Sequence, residues 1–359
     1  MRVLVTGNRG YIGTRLVPLL LSEGLEVIGY DNGLFRECAV SPITQVPAID
    51  KDIRDVERAD LQSIDAVIHL AGLSNDPLGS FRPTTTLEIN FEATVRLARM
   101  AKQAGVRRFI FASSCSVYGA AGDQILDEEG SFSPVTPYAI SKVQSEIELR
   151  KLADKDFTPV FLRAATVYGV SPMIRFDLVL NNLVAWATAT GLIFIKSDGT
   201  PWRPVVHVED LARAYLAALR APHPAVHLQA FNVGSSSENY RISELAELVR
   251  YGVPGARIEY APDGGPDKRC YRVSCSKISR ILPDFKPRWT AAMGVSEIYE
   301  AMLRWKLAKE DFEGARFSRI DHLKRLEQVG QLDEDLRLVR APHRSSVGVM
   351  AANQPAGTV

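Results

Sequence analysis

The sequence predicts an α/β protein: a doubly wound parallel sheet joined to a smaller, discontinuous C-terminal domain. Short β-branched runs alternate with helix-length segments through the first half of the chain, the order that a parallel sheet with crossover helices requires. Six such strands fit one sheet. At 359 residues, 46% of them hydrophobic, the chain is long enough for a large core in one α/β unit or two intimate domains.

The elements follow in order. RVLVTG reads as strand, YIGTRLVPLLLSEG as helix, and LEVIGYD and DAVIHLAG as further strands. TTTLEINFEATVRLARMAKQAG reads as one helix and RRFIFAS as the next strand. TPYAISKVQSEIELRKLA starts a helix with Thr136 as N-cap and Pro137 as its first residue, and TPVFLRA is again strand. After Thr166 the chain is richer in Pro and Trp, with a helix near 176–190 and sheet-like VVHVED and AFNVG. Residues 341–359 have too little apolar periodicity to fold, which predicts a flexible tail.

Lys and Arg number 43 against 42 Asp and Glu, so no global charge excess draws the chain to nucleic acid or a membrane surface. An anionic ligand must be held by a local cluster. No 18-residue apolar run marks a membrane span, and the opening MRVLVTG leaves no room for a signal peptide. The cysteines, at 38, 115, 270 and 275, lack zinc-ligand spacing, so no metal is expected. A reduced, cytoplasmic protein is the reading they favour.

Gly7, Gly10 and Gly13 lie between the first strand and first helix, where backbone N–H groups and a helix N-terminus can receive a pyrophosphate. Asp31 ends the second strand, where a carboxylate can accept from both adenosine ribose hydroxyls and repel a 2′-phosphate, favouring NAD over NADP. The competing readings are an Asp-Asn-Gly turn, and tolerance of the phosphate by Arg9 and Arg36. Tyr138 and Lys142 stand four apart on one helix face, so both can meet one ligand. Making Tyr138 a base at neutral pH needs its pKa lowered about three units, roughly 4 kcal/mol of preferential phenolate stabilisation. A neighbouring ammonium and an oxidised nicotinamide can supply it. SSCSVYG, 113–119, is either a turn satisfying its own backbone or a site that holds a substrate hydroxyl.

Together, the glycine turn, Asp31, HLAG at 69–72, Asn90, SSCSVYG and YAISK resemble the extended short-chain dehydrogenase/reductase family of NAD-dependent nucleotide-sugar epimerases and dehydratases. The resemblance covers about residues 1–290. It implies a Rossmann sheet, with 1–165 plus about 205–233 binding the dinucleotide and about 166–204 plus 234–340 binding a nucleoside-diphosphate sugar. It implies catalysis by Ser114, Tyr138 and Lys142: Ser114 bonding the sugar hydroxyl, Tyr138 as acid/base, Lys142 gripping the nicotinamide ribose. The expected cofactor-binding set is Gly7, Arg9, Gly10, Tyr11, Ile12, Gly13, Asp31, Asn32, Asp52, Ile53, Leu70, Ala71, Gly72, Asn90, Tyr138 and Lys142, and the substrate set is Ser114, Ser116, Asn182, Arg203 and Arg269.

Family members that eliminate water from a hexose resemble one another in an Asp-Glu pair directly after the catalytic hydroxyl. Here Cys115 and Ser116 stand there, which disfavours dehydration. Some relatives that epimerise beside a ketone carry a cysteine in this loop, at the position of Ser116, so Cys115 reads as a small buried side chain. His207, in an apolar strand, reads as a core histidine. Residues 80–85 and 170–178 are expected near the sugar, with Arg82 or Arg175 able to read a uronate. The leading expectation is C4 epimerisation through a 4-keto sugar. The alternatives are a dehydratase or net oxidoreductase of the same family, and an NAD-binding regulator without catalysis, which would have no need of all three catalytic residues. Helices at about 86–104 and 138–153 are expected to form a homodimer interface.

Overall fold

The computed structural model describes residues 1–339 apart from 75, 263 and 266–268, so the expected tail at 341–359 lies outside the described residues. Seven parallel strands form the central sheet: β1 (Arg2–Thr6), β2 (Glu26–Tyr30), β3 (Ala48–Ile49), β4 (Ala66–His69), β5 (Arg108–Ser114), β6 (Thr158–Ala164) and β7 (Ala230–Val233). Their order is β7-β6-β5-β4-β1-β2-β3. In β1, Val3 and Val5 enter the core on one face and Leu4 on the other, so the strand is apolar throughout, as a sheet covered on both sides demands. Succession runs outward in both directions from β1 and β4, and a crevice opens beyond their carboxyl ends. Thr6 sits there, opposite both Tyr30 and His69.

The structure also differs from expectation in its elements. β3 adds a seventh strand, and its two residues after Pro47 are too few to show any periodicity. VVHVED becomes the strand Trp202–His207, which leaves the central sheet and pairs with Thr166–Tyr168 and Asn239–Arg241. The helix after it, Val208–Arg220, packs beside the helix Gly13–Ser22, with Arg15 paired to Glu209.

The long helix expected over 84–105 has a π turn at Glu88–Glu92, between α-helical Pro83–Leu87 and Ala93–Gln103. The Asn90 carbonyl accepts from the hydroxyls of Thr94 (2.7 Å) and Ser145 (3.1 Å), and hydroxyls inserted into the backbone ladder are a known cause of such a turn.

A second core lies in the C-terminal part, around Leu180, Leu183, Val249, Val295 and Ile298. The chain then returns to the first unit. Helix Arg319–Gln328 and the turn after it bury Leu323, Leu326, Leu332 and Leu336 against the face of the sheet that carries Leu4, Phe109 and Phe157. Among the described residues, no helix is long and apolar enough to cross a membrane.

Candidate active site

The crevice at the switch of strand order deepens into a cleft of about 820 Å³. Every residue expected to hold cofactor or substrate lines it except Asn90. Asn90 instead braces the turn after β4 from behind: its Oδ1 accepts from Leu73 N–H (2.8 Å) and its Nδ2 donates to Leu73 O (2.9 Å).

The glycine turn leaves no room for side chains. Gly7 has φ +71°, and a Cβ there would meet the Ala71 nitrogen at 2.8 Å. A Cβ on Gly13 would stand 2.3 Å from the Gly7 carbonyl. The turn is fastened across the cleft: Tyr11 Oη donates to Gly169 O (2.8 Å), Ser171 Oγ donates to Tyr11 O (2.8 Å), and the Thr14 and Ser171 hydroxyls share a bond of 2.7 Å. Asp31, at the end of β2, accepts from the N–H groups of Gly33 (2.7 Å) and Arg9 (3.2 Å). Arg9 spends its guanidinium on Asp50 (2.5 Å) and Arg54 on Asp52 (2.9 Å). Bare backbone at a helix start with a carboxylate eighteen residues on fits a dinucleotide.

Ser114 ends β5, and its Oγ caps the next turn by accepting from Ser116 N–H (3.2 Å). The same hydroxyl hydrogen-bonds Tyr138. Of the two readings of SSCSVYG, the backbone-satisfying turn is present, and the side chain that closes it also faces the Tyr138 phenol. Tyr138 sits in the first turn of helix Pro137–Leu152, whose N-cap Thr136 accepts from Ala139 N–H (3.2 Å) and donates to Asp76 (2.5 Å). Burial pushes the Tyr138 phenol up to about 12, against the lowering effect of the Ser114 bond, while Asp76 adds to the rise and Arg175 opposes it. Lys142 lies with its Nζ 4.8 Å from the Phe111 ring and 5.5 Å from the Tyr138 ring. Burial brings it down to about 8, opposed by Glu146.

A buried network holds this wall. Ser113 Oγ donates to Glu146 (2.6 Å), and Arg163 grips the same carboxylate in bidentate fashion at 3.0 and 2.8 Å. Cys115 is fully buried and donates its thiol to Arg163 O at 3.1 Å; burial pushes its pKa well up. Ser116 lines the cleft with its Oγ unpartnered among the described residues.

On the far side, Arg203 Nη1 donates to Trp202 O (2.8 Å) and to the Arg269 carbonyl, and Arg269 Nη1 pairs with Asp76 (2.6 Å). Asn182 Nδ2 donates to Phe176 O (2.8 Å). Of the two arginines considered for a uronate, Arg82 lies away from the cleft, paired with Glu327 at 3.0 Å. Arg175 lines it, bidentate to Asp177 (3.0 and 2.6 Å) and bonded to Ser74 O and Oγ (2.8 Å each). His207 lies outside the cleft, stacked on Trp289 and bonded to Glu297 (2.8 Å), as a core histidine. Asp76, Phe35 and Arg319 also line the cleft, and no pattern in the sequence marks them: each is one polar or aromatic residue without a motif around it.

Fold and cleft define a dinucleotide-using enzyme with a Ser-Tyr-Lys wall. Residues 3–234 match the NAD dependent epimerase/dehydratase family, and the chain belongs to it; its cofactor is NAD. Human UDP-glucose 4-epimerase is 29% identical over 342 residues, spanning 85% of this chain and 96% of that protein. MoeE5, solved in complex with UDP-glucuronic acid and NAD, superposes with a TM-score of 0.73 at 29% identity, covering 85% of this chain and 99% of that one. UDP-glucuronic acid 4-epimerase from Bacillus cereus, also with UDP-glucuronic acid and NAD, gives 0.71 at 25% identity, covering 85% and 99%.

Proposed function

We propose that the protein is a nucleotide-sugar 4-epimerase. The observation that carries this reading is the convergence of Ser114, Tyr138 and Lys142 on one cleft wall, with Ser114 hydrogen-bonded to the phenol. Bound NAD supplies the two-electron oxidation and re-reduction of the sugar carbon. Tyr138 takes the proton of the C4 hydroxyl as the carbonyl forms and returns it when the alcohol is restored, while Ser114 holds the same oxygen. Lys142 keeps positive charge beside the phenol and binds the nicotinamide ribose. Arg203 and Arg269 hold the substrate diphosphate, and Asn182 and Ser116 orient the sugar. Gly7, Gly10, Gly13, Asp31 and residues 70–72 bind the dinucleotide, with Asp31 disfavouring a 2′-phosphate. Asp50 adds a second carboxylate there and occupies Arg9, which supports NAD over NADP.

Dehydration is the weaker reading, because the two positions after Ser114 hold a buried thiol and a hydroxyl in place of an acid and a base. A homodimer formed through helix Pro137–Leu152 fits the outward Ile140 and Ile147, seven residues apart on one face. Four free cysteines, three of them buried, fit a cytoplasmic setting.

The test is incubation with UDP-glucose, UDP-galactose and their uronates, with products followed by proton NMR. Interconversion at C4 with no deuterium entering C3 or C5 in heavy water is the expected result; a 4-keto-6-deoxy product would replace the reading with dehydration. Calorimetry should give tighter binding of NAD than NADP, and light scattering a dimer mass.

A further inference from the structure

Arg319 is a buried cation with no ion-pair partner of its own among the described residues. It is 6% exposed and lines both the main cleft and the adjoining cavity of about 270 Å³. Its Nη2 reaches Met173 O at 3.4 Å, its guanidinium lies 4.7 Å from the Phe35 ring centroid, and the Cys38 thiol touches it. Among the described residues its Nη1 has no hydrogen-bond acceptor. Asp177 is the carboxylate that acts on it, yet Asp177 is bidentate to Arg175, whose own charge opposes that of Arg319. Among the described residues, this stretch of wall therefore holds two guanidiniums to one carboxylate. An uncompensated buried charge and an orphaned N–H are each costly, and a wall that retains both is suited to a ligand that brings negative charge.

The position narrows the ligand. Met173, which Arg319 touches, donates its own N–H to Ser171 Oγ, and Ser171 in turn holds Tyr11 of the glycine turn. Phe35 follows Asp31 by four residues. Arg319 thus packs against the segment that clamps the pyrophosphate-receiving turn, and it comes from a helix outside the 3–234 match.

We infer that Arg319 is an anion-binding residue of the cleft, contributed by the C-terminal segment and complementary to a nucleotide diphosphate. This rests on the dinucleotide and nucleotide-sugar reading above. The dinucleotide is the first candidate by position, and the sugar nucleotide would bring the same chemistry.

The test uses the full chain stripped of cofactor, with Arg319→Met and Arg319→Lys compared to wild type by calorimetry against NAD, ADP and UDP, and by thermal denaturation without ligand. Arg319→Met should leave the ligand-free midpoint unchanged or higher, since it removes an unpaired charge. It should weaken diphosphate binding by about tenfold to a hundredfold, the worth of one charged hydrogen bond, with Arg319→Lys between. Weakening confined to NAD and ADP assigns the dinucleotide; weakening confined to UDP assigns the sugar nucleotide. Unchanged Kd values for all three overturn the inference, as does a lower ligand-free midpoint with unchanged Kd. If Arg319→Met fails to fold, Arg319→Lys decides by the same criterion. A wild-type chain that binds no NAD would instead defeat the cofactor assignment, and the UDP arm would still judge Arg319.

Discussion

The floor of the cleft and its outer wall are assembled by different means. The floor is local: Gly7, Asp31, Gly72 and Ser114 each stand at or within three residues of a strand end, and Tyr138 and Lys142 share one helix. The outer wall is distant: His322 Nε2 donates to Leu34 O across 288 residues at 3.0 Å, Arg316 donates to Ala39 O, and Arg337 pairs with Asp55. Strand ends aim backbone and side chains at the crevice whatever surrounds them, so short-range sequence carries the chemistry of the floor. The wall takes its meaning from where a late helix lands.

The largest effect should come from the floor. Tyr138→Phe should lower turnover by about two to four orders of magnitude, typical of a lost acid/base, with NAD affinity by calorimetry near wild type. Turnover within tenfold of wild type would remove the floor's central residue from the reaction.

The support beneath the floor should rank next. Arg163→Met strands the buried Glu146 carboxylate and should cost about 3–5 kcal/mol in urea denaturation. A loss below about 1 kcal/mol would mean that Ser113 and the helix hold Glu146 unaided, and that the floor is less cooperative than its bonds suggest.

A pH dependence separates the floor's strained cation from the rest. Lys142 titrates at about 8 in the fold against 10.5 ordinarily, so between those values the unfolded chain holds a proton that the folded chain has released. Stability from this group rises with pH through that window, and its cost is fully present below it. Lys142→Met should therefore stabilise the cofactor-free protein near pH 7, by up to about 3 kcal/mol, and the gain should fade by pH 10.5. A gain that does not change with pH would assign it to packing alone.

The smallest effect should be at Cys115. With its thiol buried against Arg163 O, Cys115→Ala should cost about 1 kcal/mol and keep most activity. A rate loss of orders of magnitude, or deuterium on carbon in the product, would make the thiol a working group.

The contrast also explains what the sequence could be read for. The strands, the glycine turn and the Tyr-Lys pair follow from apolar runs, caps and spacing, which are local properties, while the buried character of Cys115 is read through the family resemblance. β3 escaped because two residues have no period, and the π turn because hydroxyls of Thr94 and Ser145 meet one carbonyl only after folding. Asn90, expected on the cleft, braces Leu73 through that turn. The lowering of Tyr138 is expected from its lysine together with an oxidised nicotinamide, and the chain's own groups do not supply it. In the fold, burial dominates and raises the phenol, and Arg175, remote in sequence, is a cation that opposes the rise. Arg319 sits in RIDHLKRLEQ, a run whose charges suggest an ordinary solvated helix.

The return of residues 316–337 to the loop at 34–55 sets an order on synthesis. The crossover strands and the glycine turn can form as they emerge, but the segment that seals the far side of the cleft leaves the ribosome well after them. A nascent chain therefore has its dinucleotide floor before it has its wall, and firm retention of ligand awaits closure of a loop of nearly three hundred residues. Closing so long a loop costs little more than closing one half its length, about 0.6 kcal/mol, so the delay lies in waiting for the chain rather than in bringing its ends together.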